Sequence, residues 1–121
     1  MKVRVVVEPA LEAPIEVPAL IVGAGACGLT AALTLAHRGV PTVVLERDAS
    51  PSGSTGLSSG FIPAAGTQAQ RALGVDDSAA RFAEDIQAKS HGASAPHLVA
   101  AYTEAIAPAM DFLQTEHGLQ W

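Results

Sequence analysis

The sequence predicts an α/β fold that opens with a strand, a helix and a second, parallel strand. Two short runs, residues 19–22 (ALIV) and 42–45 (TVVL), have the nearly unbroken hydrophobicity of strands buried on both faces. Between them, apolar residues recur at the three- and four-residue spacing of a helix. A compact unit of this kind places its strands side by side, joined by a right-handed crossover.

The helix of this unit is predicted to begin near Ala26 and to end at a glycine cap. Its apolar face consists of Leu29, Ala32, Leu33 and Ala36. Positively charged side chains in a last turn complement the helix dipole, and here that turn holds His37 and Arg38. Gly39 follows, where it supplies the left-handed cap before the second strand.

The rest of the chain is predicted to be a long loop followed by helices. Residues 48–66 are rich in Ser, Gly and Pro, which indicates a loop with room for one helical turn. Short helices are expected over 67–73 and after Ser78, the latter ending near Gly92. A third helix is expected over about 96–117, with a bend at Pro108. Its apolar side is predicted to comprise Leu98, Ala101, Tyr102, Ala105, Ala109, Phe112 and Leu113.

Composition and charge exclude several classes of protein. The chain has 121 residues and a net charge of −5, which argues against binding to nucleic acids or to anionic lipid. Residues 17–36 carry no charge, but Pro18 and the glycines that follow are spaced as in a turn, which argues against a membrane span. A single cysteine excludes an internal disulfide, and no targeting signal is evident, so we expect a cytoplasmic protein.

Residues 1–18 are interpreted as an N-terminal extension. The segment 3–7 (VRVVV) is β-branched and is expected to form an edge strand or a tail. Prolines at 9, 14 and 18 break regular structure, so residues 8–18 are predicted to be an extended connector. The domain proper is expected to cover residues 19–121.

A glycine-rich motif, GAGACG, lies where the first strand gives way to the helix. Gly23 permits a tight turn, Gly25 lets a pyrophosphate approach the backbone, and Gly28 lets the helix pack closely on the sheet. The free N–H groups of Ala26 and Cys27 are then expected to face the negative charge. The pattern predicts dinucleotide binding, the alternative being a glycine-rich turn in an α/β domain that binds no nucleotide.

An acidic residue at the end of the second strand supports the same interpretation. Glu46 lies 18 residues after Gly28, near the spacing at which a carboxylate accepts hydrogen bonds from an adenosine ribose. Its charge would repel a 2′-phosphate, which disfavours NADP.

These residues give the chain a recognisable family resemblance. Residues 20–48 resemble the N-terminal dinucleotide-binding segment of two-domain FAD flavoproteins. The loop 52–60 (SGSTGLSSG) is similar to the GGSTxxSSGG loop of the succinate dehydrogenase/fumarate reductase flavoprotein family, which includes ketosteroid dehydrogenases. The resemblance covers residues 19–66 with specific motifs and continues more weakly to 117. It implies a Rossmann-like FAD-binding domain with a parallel sheet, followed by helices.

The resemblance also implies a cofactor and the residues around it. FAD would bind in an extended form, with small hydroxyl side chains as donors and glycines where the flat ring approaches. The implied groups are Gly25, Ala26 and Cys27 near the pyrophosphate, within the motif that Gly23 and Gly28 complete; Glu46 and Arg47 at the adenosine; Ser54 and Thr55 at phosphate or ribityl oxygens; and Ser59 and Gly60 at the isoalloxazine ring.

The loop departs from the family pattern at three positions. Ser52 stands where the family has glycine, which would strain the turn if that position requires a positive φ. Phe61 replaces the second glycine at the end of the loop, so packing beside the flavin is expected to differ. Ser54 occupies the position of the histidine that bonds covalently to FAD in the complex II branch, so we expect non-covalent FAD.

The family's remaining functional parts lie beyond this region of sequence. Its substrate is held by a separate capping domain, and the far half of its FAD site comes from near the C-terminus. We therefore expect a partial domain, a fragment to which no catalytic residue is assigned. A complementing C-terminal fragment is a possible partner. No metal site is predicted, because the histidines are widely spaced and no cysteine or carboxylate completes a set.

The predicted function is that of the FAD-binding portion of a flavin oxidoreductase. The full-length parent would transfer hydride to or from a C–C bond of a small-molecule substrate. One alternative is a non-catalytic nucleotide-binding fragment, and another is an NAD-dependent dehydrogenase domain. The serine-rich loop argues against the latter, since NAD folds need no second loop facing phosphate and ring so soon after the ribose acid.

Overall fold

The computed structural model describes residues 14 and 16–120. The strand or tail predicted over residues 3–7, most of the connector and Trp121 lie outside the described residues. The regular elements in chain order are β1 (Ala19–Val22), α1 (Ala26–His37), β2 (Thr42–Leu45), α2 (Ser54–Leu57), α3 (Gln68–Ala72), α4 (Ala79–Lys89) and α5 (Pro96–His117). The chain divides into two compact units, with the boundary between Phe61 and Ile62. The predicted α/β class is confirmed.

The first unit is the predicted strand–helix–strand. Strands β1 and β2 pair in parallel, with Ala19 opposite Thr42 and Val22 opposite Leu45. Helix α1 connects them and has Arg38 as its C-cap, and Gly39 follows with a φ of +73°, the left-handed conformation expected of it. The βαβ unit and its boundaries are therefore confirmed.

The two strands differ from the prediction in their burial. They were expected to be covered on both faces, yet Leu20, Val22 and Leu45 are 56%, 82% and 45% exposed. Successive side chains of a strand point to opposite faces. The face that bears Ile21 packs on α1, since Ile21 Cγ2 lies 3.2 Å from the position of a Cβ built on Gly28. No other described element of this unit covers the opposite face, so its apolar side chains meet solvent.

The second unit consists of three helices that start at side-chain caps or at a proline. Thr67 and Gln70 form a reciprocal capping box at the start of α3. Ser78 accepts a hydrogen bond from the Arg81 N–H at the start of α4. Helix α5 has Pro96 in its first turn and packs against α4. These starts agree with the sequence prediction.

The buried side of α5 is not the predicted one. Its buried residues are Val99, Thr103 and Met110, whereas Leu98 and Tyr102 are 62% and 39% exposed. Val99, Thr103 and Met110 also follow helical spacing. A search for apolar residues does not count the threonine, so it did not select this face. The Thr103 hydroxyl donates to the carbonyl of Ala100 over 3.3 Å, which allows its burial.

None of the described helices combines the length and the hydrophobicity needed to cross a membrane. The uncharged stretch that begins at residue 17 forms β1, the glycine-rich turn and most of α1 instead. Its glycines end the strand before the helix begins, as the sequence predicted.

Candidate cofactor-binding site

The glycine-rich turn between β1 and α1 has the geometry that its glycines require. Gly23 adopts a φ of +97°, and its N–H donates to the Leu45 carbonyl over 2.7 Å, which joins the turn to β2. A Cβ on Gly28 would lie closer than 3.0 Å to the Gly23 carbonyl oxygen. Gly28 therefore lets α1 approach the turn, as its position in the motif predicted.

The N-terminus of α1 presents backbone N–H donors. Of the two that we predicted to be free, those of Ala26 and Cys27, the first already has an acceptor. Gly25 is the N-cap and provides no side chain to satisfy them. The Ala26 N–H donates to Thr55 Oγ1 over 3.0 Å, which corrects the prediction that it is free. In the described part of the chain, the N–H groups of Cys27 and Gly28 have no acceptor. These are the donors available to an anion at this helix end.

Glu46 is fixed beside the glycine-rich turn by both of its carboxylate oxygens. Oε2 accepts from the Ala24 N–H over 2.9 Å, and Oε1 accepts from the Asp48 N–H over 3.1 Å. These bonds, that to Ala24 foremost, lower the pKa of the Glu46 carboxyl. Each carboxylate oxygen has a further lone pair, so this side chain can also accept from ribose hydroxyls.

Arg47 and its neighbours form a small polar cluster after β2. The Arg47 side chain is 90% exposed and pairs with Asp48 over 3.2 Å. The Ser52 hydroxyl donates to Asp48 Oδ2 over 2.9 Å. The bonds from Arg47 and then Ser52 lower the pKa of Asp48. Asp48 and Ser52, which the sequence analysis did not assign to the site, thus orient Arg47. Residues 48–52 lie in a loop, so no helical spacing in the sequence signalled this contact.

The serine-rich loop has a hydrogen bond to the glycine-rich turn near its start and none near its end, among the described residues. Helix α2 begins at Ser54, which is exposed, and contains Thr55. Ser59 is exposed, and the Gly60 N–H donates to Ser58 Oγ over 3.0 Å. Among the described residues, no hydrogen bond links residues 58–60 to the glycine-rich turn.

Ser52 and Phe61 are two positions at which the loop differs from the family pattern, and the structure shows the conformation of each. Among the described non-glycine residues, His91 has a positive φ and Ser52 does not, so the strain considered for Ser52 is absent. Phe61 is 88% exposed, so within this chain it packs on little.

The donor set fits the pyrophosphate and adenosine half of FAD. Two N–H groups without a partner among the described residues lie at this helix start and suit a phosphate, and the N-cap Gly25 has no side chain to satisfy them. The carboxylate of Glu46 suits the ribose hydroxyls. Among the residues that the structure describes, no three His, Cys, Asp or Glu side chains are grouped to hold a metal ion.

Comparison with known proteins supports FAD as the cofactor. The FAD binding domain family matches residues 19–121. Urocanate reductase from Eggerthella lenta is 34% identical over 106 residues, which cover 88% of this chain and 18% of that protein. Fumarate reductase 1 from Saccharomyces cerevisiae is 29% identical over 85% of this chain and 22% of its own length. A 3-oxosteroid 1-dehydrogenase from Mycobacterium tuberculosis is 40% identical over 51% of this chain and 11% of its own.

The chain spans less than a quarter of the length of these relatives. The family match, in contrast, covers the whole of the βαβ unit, the serine-rich loop and the helices that follow. The chain therefore belongs to the FAD binding domain family, and its cofactor is FAD.

Proposed function

We propose that this chain supplies the part of an FAD site that holds the ADP moiety, within a flavin oxidoreductase. The observation that carries the proposal is the convergence of Glu46 and α1 on one turn. The Glu46 carboxylate lies 2.9 Å from the Ala24 nitrogen, three residues before the open N–H of Cys27. A ribose hydroxyl and a pyrophosphate are joined by a short linker, so adjacent carboxylate and N–H donors suit them together.

The residues of this chain bind and orient, and the flavin supplies the hydride chemistry when it is bound. The helix end and its dipole favour the pyrophosphate charge by about 0.3–1 kcal/mol per interaction at an exposed site. Glu46 sets the position of the adenosine and disfavours a 2′-phosphate. We assign no catalytic residue to the described chain. Ser59 and Gly60 are proposed to lie beside the isoalloxazine ring, as the family loop implies.

For the whole oxidoreductase, we propose reduction or desaturation of a C–C bond in a small-molecule substrate. The relatives that share this region include a urocanate reductase and a fumarate reductase. Substrate-binding groups would come from a complementing segment. The exposed apolar face of the sheet, with Val22 82% exposed, supports the need for a covering segment.

We propose that the flavin is held without a covalent bond, because Ser54 stands at the position of the family's covalent histidine. Precipitation of the loaded protein with acid should release all of the flavin into the supernatant. Flavin that stays with the pellet after washing would contradict non-covalent attachment.

The ADP-half proposal is tested by competition. The chain is equilibrated with FAD and with ADP or FMN as competitor, and the FAD that stays bound after gel filtration is separated from FMN by chromatography and measured. We expect ADP to displace FAD and FMN, which lacks the adenosine, to leave it bound. Displacement by FMN and not by ADP, or no binding of FAD, would contradict the proposal.

A charge-matched pair of variants locates the site. Glu46→Ala should weaken FAD binding about tenfold or more, because charge-assisted hydrogen bonds are lost. Glu84→Ala removes the same charge from an exposed position of α4, outside the proposed site, and should leave affinity unchanged. Equal effects of the two variants would show that charge, and not the placement of Glu46, governs binding.

A further inference from the structure

One hydrogen bond joins the serine-rich loop to the glycine-rich turn. The Ala26 N–H, the first of α1, donates to Thr55 Oγ1 over 3.0 Å. The contact bridges 29 positions in sequence, so it joins segments that are distant along the chain. Among the described side chains of residues 51–60, none but Thr55 forms a hydrogen bond to residues 19–46.

Gly25 lies beside the Thr55 hydroxyl and leaves room for it. A Cβ built on Gly25 would lie 3.6 Å from Thr55 Oγ1, in ordinary van der Waals contact. A longer side chain at Gly25 would push the hydroxyl away from the Ala26 nitrogen. Glycine or alanine at position 25 is therefore compatible with the contact, and a larger side chain is not.

The bond changes which donors an anion meets. Four N–H groups at the start of a helix lack partners within the helix. Thr55 satisfies that of Ala26, and those of Cys27 and Gly28 remain open. A hydroxyl can accept one bond and donate another, so the Thr55 O–H stays available while its oxygen is engaged.

We propose that Thr55 is a positioning residue that fastens the α2 loop to the first turn of α1 before any cofactor is bound. The loop is thereby preorganised, so the entropy cost of ordering it does not reduce the affinity for the cofactor. The inference rests on the proposed function for the identity of the ligand, but the fastening itself is a property of the chain without ligand.

The test measures amide hydrogen exchange by NMR in the 121-residue chain without FAD. The Ala26 amide should exchange about two- to tenfold more slowly than the Cys27 amide, after correction for intrinsic rates, as expected for one exposed hydrogen bond. This ratio needs no substitution, so it does not depend on any variant folding. Equal protection of the two amides would overturn the proposal.

Two substitutions at Thr55 separate the hydroxyl from the shape of the side chain. Thr55→Val keeps the branched side chain and removes the acceptor, so the Ala26 amide should exchange as fast as that of Cys27. Thr55→Ser restores an acceptor and should restore protection. Ser54→Ala removes the neighbouring hydroxyl of the same helical turn and should leave the Ala26 amide protected. Unchanged protection in Thr55→Val, with an unchanged circular dichroism spectrum, would overturn the proposal.

Failure of this test and failure of the proposed function give different results. Protection of Ala26 without any FAD binding would leave the fastening intact and contradict the cofactor site. Binding of FAD without protection of the Ala26 amide would support the cofactor site and contradict the fastening by Thr55.

Discussion

Gly28 makes the closest approach between α1 and the glycine-rich turn, so Gly28→Ala is the sharpest perturbation of this fold. The added Cβ would lie closer than 3.0 Å to the Gly23 carbonyl oxygen and 3.2 Å from Ile21 Cγ2. The first neighbour is backbone, which cannot rotate away as a flexible side chain can. Helix α1 must shift away from β1, or the turn must open.

Two effects of opposite sign decide the outcome. Alanine is a better helix former than glycine, by about 0.8–1.0 kcal/mol in a helix interior. Overpacking that forces backbone movement costs about 1–3 kcal/mol, and here it also separates α1 from the sheet. Because the contact falls below any normal Cβ distance, we expect the steric cost to exceed the gain. Gly28→Ala should thus destabilise the first unit, by up to about 2 kcal/mol, which is the upper end of the steric cost less the gain in helix propensity.

Gly56→Ala is the matched control for this prediction. Gly56 lies in α2, and its added Cβ would meet the Pro51 carbonyl oxygen at an ordinary 3.7 Å. Urea unfolding followed by circular dichroism measures both variants. Gly56→Ala should be as stable as the wild type or slightly more stable. A Gly28→Ala chain at least as stable as the wild type would refute the steric reasoning.

Three further predictions concern polar contacts. The pKa of the Glu46 carboxyl is lower in the folded chain than its ordinary value of 4.5, so the ionised carboxylate stabilises the fold. This contribution is fully present above pH 4.5 and is lost as the pH falls through the lowered pKa. Asp111 accepts from the Gln68 N–H at 2.8 Å and from Arg71 Nη2 at 2.9 Å, so Asp111→Ala should destabilise the second unit by about 1–2 kcal/mol in urea. The Tyr102 hydroxyl donates to a backbone carbonyl over 2.7 Å, so Tyr102→Phe should cost about 0.5–1.5 kcal/mol in the same assay.

Each of these predictions has a control that separates it from a general loss of structure. For the first, urea midpoints of the wild type and Glu46→Gln should converge on acidification below pH 4.5, and a constant difference would contradict the pKa argument. Asp111→Asn keeps an acceptor and should cost less than Asp111→Ala; equal costs would assign the effect to something other than these bonds. Tyr102→Leu also removes the ring that lies 5.8 Å from that of Phe82, so it should cost more than Tyr102→Phe.

Local patterns in the sequence were enough to predict the elements around the site. The strands at residues 19–22 and 42–45 follow from short apolar runs, and the start and end of α1 follow from glycines that permit its turns. These features depend on residues close in sequence, where steric rules act directly. Thr67 and Ser78 were found as helix starts for the same reason.

Contacts between distant segments were not predictable in the same way. Nothing in the sequence pairs Ala26 with Thr55, because the bond depends on how a loop folds back over 29 positions. Burial was misjudged for Val22 and for the face of α5 that holds Thr103, since burial depends on which elements pack nearby. Hydrophobicity alone does not supply that information.

A ¹H–¹⁵N NMR titration of the chain with FAD shows where the pyrophosphate binds. The proposed pyrophosphate position is the N-terminus of α1, where the Cys27 and Gly28 N–H groups have no acceptor within residues 14 and 16–120. We predict that these two amide resonances shift downfield on addition of FAD, because they gain a charged acceptor, while those of α4 stay in place. Saturable shifts that leave Cys27 and Gly28 unmoved, or no shifts at all, would contradict the account.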